Sequence, residues 1–174
     1  LEFMRRGHTS EDSIKAIHKI ANATAVDLGI HLIIGSPNET DEQIIDTAKR
    51  CNDLPITNIK LHNMHVLKNT ELEKWYNEGT FQPIEREDYK NKVLLFLSHL
   101  HPRIAVHRLA AFATRWEELI APRWTSDRMG THQFIVDQLR TEQIFQGCLV
   151  QPQNDSDKYL IEKMQERIVR NDRN

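Results

Sequence analysis

The sequence predicts an α/β fold organised on a parallel sheet, and three observations predict it. Short, almost wholly apolar runs recur along the 174 residues, as strands buried in a parallel sheet require. Longer segments lie between them, with apolar positions stepping by three and four, the spacing of amphipathic helices. The two kinds of segment alternate, which is the chain order of βαβ units.

Thr9 or Ser10 is suited to cap a first helix whose apolar positions Ile14, Ile17, Ala21, Ala25 and Leu28 share a face, with Gly29 as its stop. Ile30 to Ile34 reads as a strand buried on both faces, closed by the turn Gly35-Ser36-Pro37-Asn38. Thr40 and Gln43 form a capping box before a second helix that buries Ile44, Ile45, Ala48 and Cys51 and ends at Pro55. Ile56 to His62 is the second strand, and Thr70 with Glu73 opens a short helix carrying Leu72, Trp75 and Tyr76. A long helix follows over about Arg86 to Leu100, stopped by Pro102. Ile104 to Leu109 is a third strand, and a helix is expected over about Met129 to Leu139. After a polar linker over Gln151 to Asp157, the apolar positions Leu160, Ile161, Met164 and Ile168 predict a last helix that docks on the rest. A complete eight-unit barrel takes about 250 residues, so a TIM-like barrel would be present only in part.

Composition narrows the function. Hydrophobic residues make up 39% and charged residues 28% of the chain, ordinary values for a folded domain. With 23 Lys and Arg against 25 Asp and Glu, the net charge of −2 provides no global basic field, so any RNA contact is expected to be local. Acidic residues sit among Trp75, Trp116, Trp124, Phe81 and Phe134, which favours packing over base stacking for these rings. No apolar run approaches the roughly 20 residues that cross a bilayer, and a cytoplasmic, membrane-free protein is expected. Cys51 and Cys148 stand far apart without metal-ligand spacing, so no metal site is predicted. A Gly-x-Ser-x-Gly nucleophile elbow is absent.

Several strings nevertheless form a specific pattern. Arg6-Gly7-His8-Thr9, a helix, and then His31-Leu32-Ile33-Ile34-Gly35-Ser36-Pro37-Asn38-Glu39-Thr40 resemble the second half of a radical S-adenosylmethionine (SAM) barrel. Ile59-Lys60-Leu61-His62-Asn63-Met64-His65-Val66, Asn69-Thr70, His107-Arg108-Leu109, Ala121-Pro122-Arg123-Trp124 and Gln146-Gly147 extend the likeness to about Val150. Together they resemble the bacterial YhcC-like radical SAM proteins, which are related to the Elongator catalytic subunit. The resemblance implies a (β/α)6 barrel, with Ile30 to Ile34 as its fifth strand, Ile56 to His62 as its sixth, and a small α/β C-terminal extension. On that basis residues 1–80 are expected to hold the last βα units, 81–150 a radical SAM C-terminal domain, and 151–174 a linker and helix.

The resemblance also implies chemistry: a 4Fe-4S cluster and SAM in the parent enzyme, an electron donor, and a 5'-deoxyadenosyl radical acting on an unknown substrate, with RNA one class by family analogy. The cluster's Cys-x-x-x-Cys-x-x-Cys loop would precede Leu1, so this chain alone is expected to be inactive. Ile33, Gly35 and Glu39, with Leu61 and His62, are the implied cofactor-binding residues; Arg6, His8 and His65 are substrate-side candidates. From the residues alone, Gly35 to Glu39 also fits a plain strand-to-helix turn, His62 and His65 a polar rim, and Arg6 a solvated basic terminus. His107 and Arg108 are assigned no role. The rival expectation is a non-catalytic half-barrel or binding domain, and an apolar edge at Ile30 to Ile34 through which copies associate.

Overall fold

The computed structural model describes residues 7–171. The first helix, α1 (Ser10–Ala23), begins with a reciprocal cap in which the Thr9 hydroxyl accepts from the Asp12 N–H at 3.1 Å and the Asp12 carboxylate accepts from the Thr9 N–H at 2.9 Å. It ends sooner than expected. The Thr24 N–H and hydroxyl both donate to the Ile20 carbonyl, 3.1 and 2.9 Å away, and the backbone at Thr24 is extended. A β-branched threonine that back-bonds to the preceding turn thus terminates the helix before Ala25 and Leu28.

Strand β1 (Gly29–Ile33) pairs in parallel with β2 (Asn58–His62), Gly29 opposite Asn58 through Ile33 opposite His62. Between them α2 (Asp41–Asp53), capped by Thr40 and Gln43, buries Ile44, Ala48 and Cys51. A two-residue strand, β3 (Val66–Leu67), and a short helix, α3 (Glu71–Asn77), come next, followed by α4 (Arg86–His99), which buries Tyr89, Val93, Leu94, Phe96 and Leu97. Strand β4 (Ala105–Arg108) returns parallel to β2, so the main sheet has the order β1-β2-β4. Strand β5 (Leu119–Ala121) pairs antiparallel with β3, and with Phe81 these strands form a small second core that the sequence did not signal. Helices α5 (Arg128–Thr141) and α6 (Asp155–Asn171) complete the chain.

The main core lies on one side of the parallel sheet. Ile34, Ile59, Leu61 and Ile104 meet Ile44 and Ala48 of α2 and Tyr89, Val93, Phe96 and Leu97 of α4. The expectation that β1 is buried on both faces is corrected here. Its His31 is exposed and its Ile33 only half-buried, and β1 is an outer strand of the sheet.

Side chains fix how the strands enter this layer. Asn52, at the end of α2, donates to the His99 carbonyl at 2.9 Å and accepts from the His101 N–H at 2.8 Å, tying α2 to the C-terminus of α4. The Arg103 guanidinium collects the carbonyls of Asn52, Leu54 and Ile56, which have no partner in the α2 ladder. Replacing Asn52 by Ala should lower the unfolding free energy by about 2 kcal/mol, since two half-buried backbone groups lose their partner. Asp46→Ala, on the exposed face of α2, should stay within about 0.5 kcal/mol. Urea unfolding of both variants measures the contrast.

Candidate functional site

Because residues alternate faces along a strand, the side of the sheet away from the helices carries His31 and Ile33 from β1 and Lys60 and His62 from β2. Regular pairing would next place His107 of β4 beside Lys60. The register instead shifts: Ile59 opposes Val106, but Lys60 opposes Arg108. His107 is the extra residue of a bulge and faces solvent, while Arg108 is re-aimed onto the polar side.

Three strands thereby converge on one imidazole. His62 Nε2 takes a short hydrogen bond from an Arg108 Nη2–H and lies 3.1 Å from Nδ1 of His31, whose ring stacks on it with centroids 5.0 Å apart. A guanidinium has only donors, so His62 Nε2 is the acceptor and His62 carries its proton on Nδ1; the one lone pair of Nε2 is thereby engaged by Arg108, and His31 meets the ring by stacking. Burial lowers the His62 pKa to about 4, and the neighbouring Arg108, His31, His65 and Lys60 act in the same direction. Arg108 is steadied further by an Nε–H bond to the Leu61 carbonyl at 3.4 Å.

Just past β2, buried Asn63 accepts from the Ala111 N–H at 3.0 Å and donates to Nε2 of His65 at 3.0 Å. This bond joins the end of β2 to the segment after β4. Burial depresses the His65 pKa, a hydrogen bond with the Ala111 backbone opposes that, and Arg108 adds to the depression. The turn after β1 is closed by Glu39, whose carboxylate accepts from the Gly35 N–H at 2.7 Å. Burial raises the Glu39 pKa despite that bond and the nearby Lys92 charge. Lys92 reaches from α4 to the Glu39 carbonyl at 2.7 Å and so pins the turn against the helix layer.

The residues singled out in the sequence are only partly brought together. Ile33 and His62 share the polar side, and Gly35 and Glu39 form the adjoining turn. Leu61 is fully buried in the helix-side core, so only its backbone reaches the site, through the carbonyl that receives Arg108. His65 sits beside Asn63. His8 lies near Asp12 at the start of α1, and Arg6 falls outside the described residues. Gly35 has a second reason to be glycine: its φ is +87°, and a Cβ there would come within 2.7 Å of the Ile84 side chain. Sequence reasoning missed His31 and Arg108. The one polar side chain inside the apolar run of β1, beside the polar alternation Asn58, Lys60, His62 of β2, was the available signal for His31, whereas nothing in the sequence marks the bulge that turns Arg108.

An iron-sulfur cluster needs converging cysteine thiolates. Cys51 is buried within the α2 face of the core, and burial pushes its thiol up to about 12, which keeps it protonated. Cys148 lies in the segment after α5. These residues do not fit a cluster, and among the described residues no group of three His, Cys, Asp or Glu side chains is placed to hold a metal. No described helix is long and apolar enough to cross a membrane.

Residues 56–141 match the Radical_SAM C-terminal domain profile. Protein YhcC of Escherichia coli strain K12 is 34% identical over 98 residues, covering 56% of this chain and 31% of YhcC. A tRNA uridine(34) acetyltransferase of Methanocaldococcus jannaschii is 27% identical over 106 residues, covering 59% of this chain and 19% of that protein. Among solved structures, Elp3 of Methanocaldococcus infernus with an N-terminal deletion superposes with a TM-score of 0.68 at 18% identity, over 84% of this chain and 34% of that one, a likeness of fold. The chain spans less than half the length of the curated relatives it matches.

The site geometry predicts that the His62 ring titrates near pH 4, well below the ordinary 6.5. Its folded pKa is depressed, so its contribution to stability is complete above about pH 6.5 and is lost as pH falls from there through about 4. Histidine-selective NMR titration reads this directly; a His62 midpoint near 6.5 would contradict the geometry. Gly35→Ala should cost about 1–2 kcal/mol of stability through its positive φ, and shortening Ile84 to Ala in the same chain should relieve the steric part but not the conformational part. Thermal unfolding of the single and double variants separates the two.

Proposed function

Because the chain corresponds to the C-terminal, radical SAM-related part of YhcC-like proteins, we propose that its open sheet face forms one wall of a SAM- and substrate-binding chamber in a longer radical SAM enzyme. The observation that carries this reading is the row of polar side chains, His31, Lys60, His62 and Arg108, on one face of three parallel strands, with His62 and Arg108 at the carboxyl ends of β2 and β4, two strands within the stretch that matches a radical SAM C-terminal domain. Ligands of open α/β sheets collect outside the carboxyl ends of the strands.

In this reading Ile33, the Gly35 to Glu39 turn, the Leu61 backbone and His62 line the cofactor side, and His65 faces the substrate. A cluster held elsewhere in the longer enzyme would supply the electron for reductive cleavage of SAM. This chain's own groups bind and orient: His62, neutral at pH 7, accepts hydrogen bonds and contributes no positive charge, and Asn63 fixes the ring of His65. The division into barrel units over 1–80, a C-terminal domain over 81–150 and a final helix belongs to the same proposal. RNA is the proposed substrate class, supported by the named activity of the tRNA uridine(34) acetyltransferase relative.

The test uses the full-length protein, reconstituted anaerobically with iron and sulfide and supplied with SAM and a chemical reductant. The wild type should form 5'-deoxyadenosine. His65→Ala should bind SAM within about twofold of wild type yet lose roughly tenfold or more in turnover of a transfer-RNA substrate, the range of a lost positioning or proton-transfer group. A protein that carries its cluster but neither binds nor cleaves SAM would refute the reading and leave a non-catalytic binding domain in its place.

A further inference from the structure

A guanidinium drawn partly out of water loses hydration that an anionic partner ordinarily replaces. Arg108 is half-buried, yet its protein acceptors are the neutral Nε2 of His62 and the Leu61 carbonyl. Among the described residues no carboxylate forms an ion pair with it. The neighbouring side chains deepen this imbalance. Lys60 stands beside Arg108 in register, and His31 and His62 supply imidazoles from the next positions. The carboxylate of Glu39 is already engaged by the Gly35 N–H.

Its Nε and Nη2 atoms make the two bonds just described, while among the described residues its Nη1 amino group has no protein acceptor. A planar fork with one edge fixed and the other open suits the paired oxygens of a carboxylate or phosphate. The β-bulge at His107 is what brings the fork to this side, and bulges commonly re-aim a side chain next to a site.

We propose that Arg108 is the oxyanion-binding residue of this face, held in orientation by His62, and that it takes a carboxylate or phosphate group of the bound ligand. Lys60 adds to the positive field but does not replace the fork. The charge balance of the face carries the site itself, while the identity of its ligand rests on the proposed function; the inorganic phosphate arm tests the site apart from that reading. The two sources of the oxyanion are the carboxylate of SAM and a phosphate of the substrate.

The experiment follows the ring of His62 by histidine-selective labelling in the full-length protein while inorganic phosphate, or in a separate arm SAM, is added. The groups that face this ring are Arg108, His31, His65 and Lys60. An oxyanion on Arg108 offsets the cationic charge beside His62, so the His62 resonance should shift saturably and its pKa should rise by about one unit. Arg108→Gln should weaken saturation at least tenfold, and Arg108→Lys should restore it only in part because a point charge lacks the fork. Saturation by phosphate alone assigns the oxyanion to the substrate, and saturation by SAM assigns it to the cofactor carboxylate. A wild-type His62 unmoved by both probes overturns the proposal, as does a response that persists unchanged in a folded Arg108→Gln protein. Because the wild-type titration is decisive by itself, a variant that fails to fold leaves the proposal open to refutation.

Discussion

The two-residue alternation of three parallel strands beneath a single layer of helices is the constraint from which the other features follow. Leu32, Ile34, Ile59, Leu61 and Val106 join the core with α2 and α4. The same alternation puts His31, Lys60 and His62 on the opposite side. A one-residue slip in register would exchange these sets, placing imidazoles among apolar side chains and leucines in water. Burial of the core side therefore holds the polar side in place, and the polar groups need no mutual attraction to be assembled.

The register itself is set away from the site. Asn52 and Arg103 knit the end of α2 to the ends of α4 and to the residues leading into β2 and β4, so the strands start at fixed heights. At the other end, Asn63 and the Tyr89 hydroxyl, which donates to the Leu109 carbonyl at 2.8 Å, tie the segment after β4 to β2 and α4. Both strand ends are thus anchored by hydrogen bonds between half-buried or buried groups, where such bonds cost most to break. The polar side chains between these anchors are held on a stiff support, as precise ligand contacts require.

Much of this was legible in the sequence because local signals agreed with tertiary ones. The Thr40–Gln43 capping box, the Thr70 cap and the apolar spacing of α4 all recur in the structure at the expected places. The strand over Ile56 to His62 and its successor after Pro102 are present too. What stayed hidden depends on contacts distant in sequence. The β3–β5 pair joins segments about fifty residues apart and has too few residues to show periodicity. The early stop of α1 comes from a threonine hydroxyl competing for a backbone carbonyl, a choice that apolar spacing does not register. For the candidate site, His62 and His65 stood out by type and spacing. Arg108 did not, because its face is decided by how β4 pairs and not by its position in the strand.

Bulges also govern how a protein family drifts. At β4 two adjacent residues carry opposite burdens: His107 projects into solvent as the extra residue, while Arg108 opposes Lys60. Closing the bulge without shortening the strand, so that His107 paired with Lys60, would rotate the guanidinium toward Leu61 and the helix layer, where its charge would meet hydrocarbon. Deleting position 107 instead leaves Arg108 next to Val106 and still opposite Lys60. Among divergent relatives the length of this segment can therefore change by one residue while the guanidinium keeps its side.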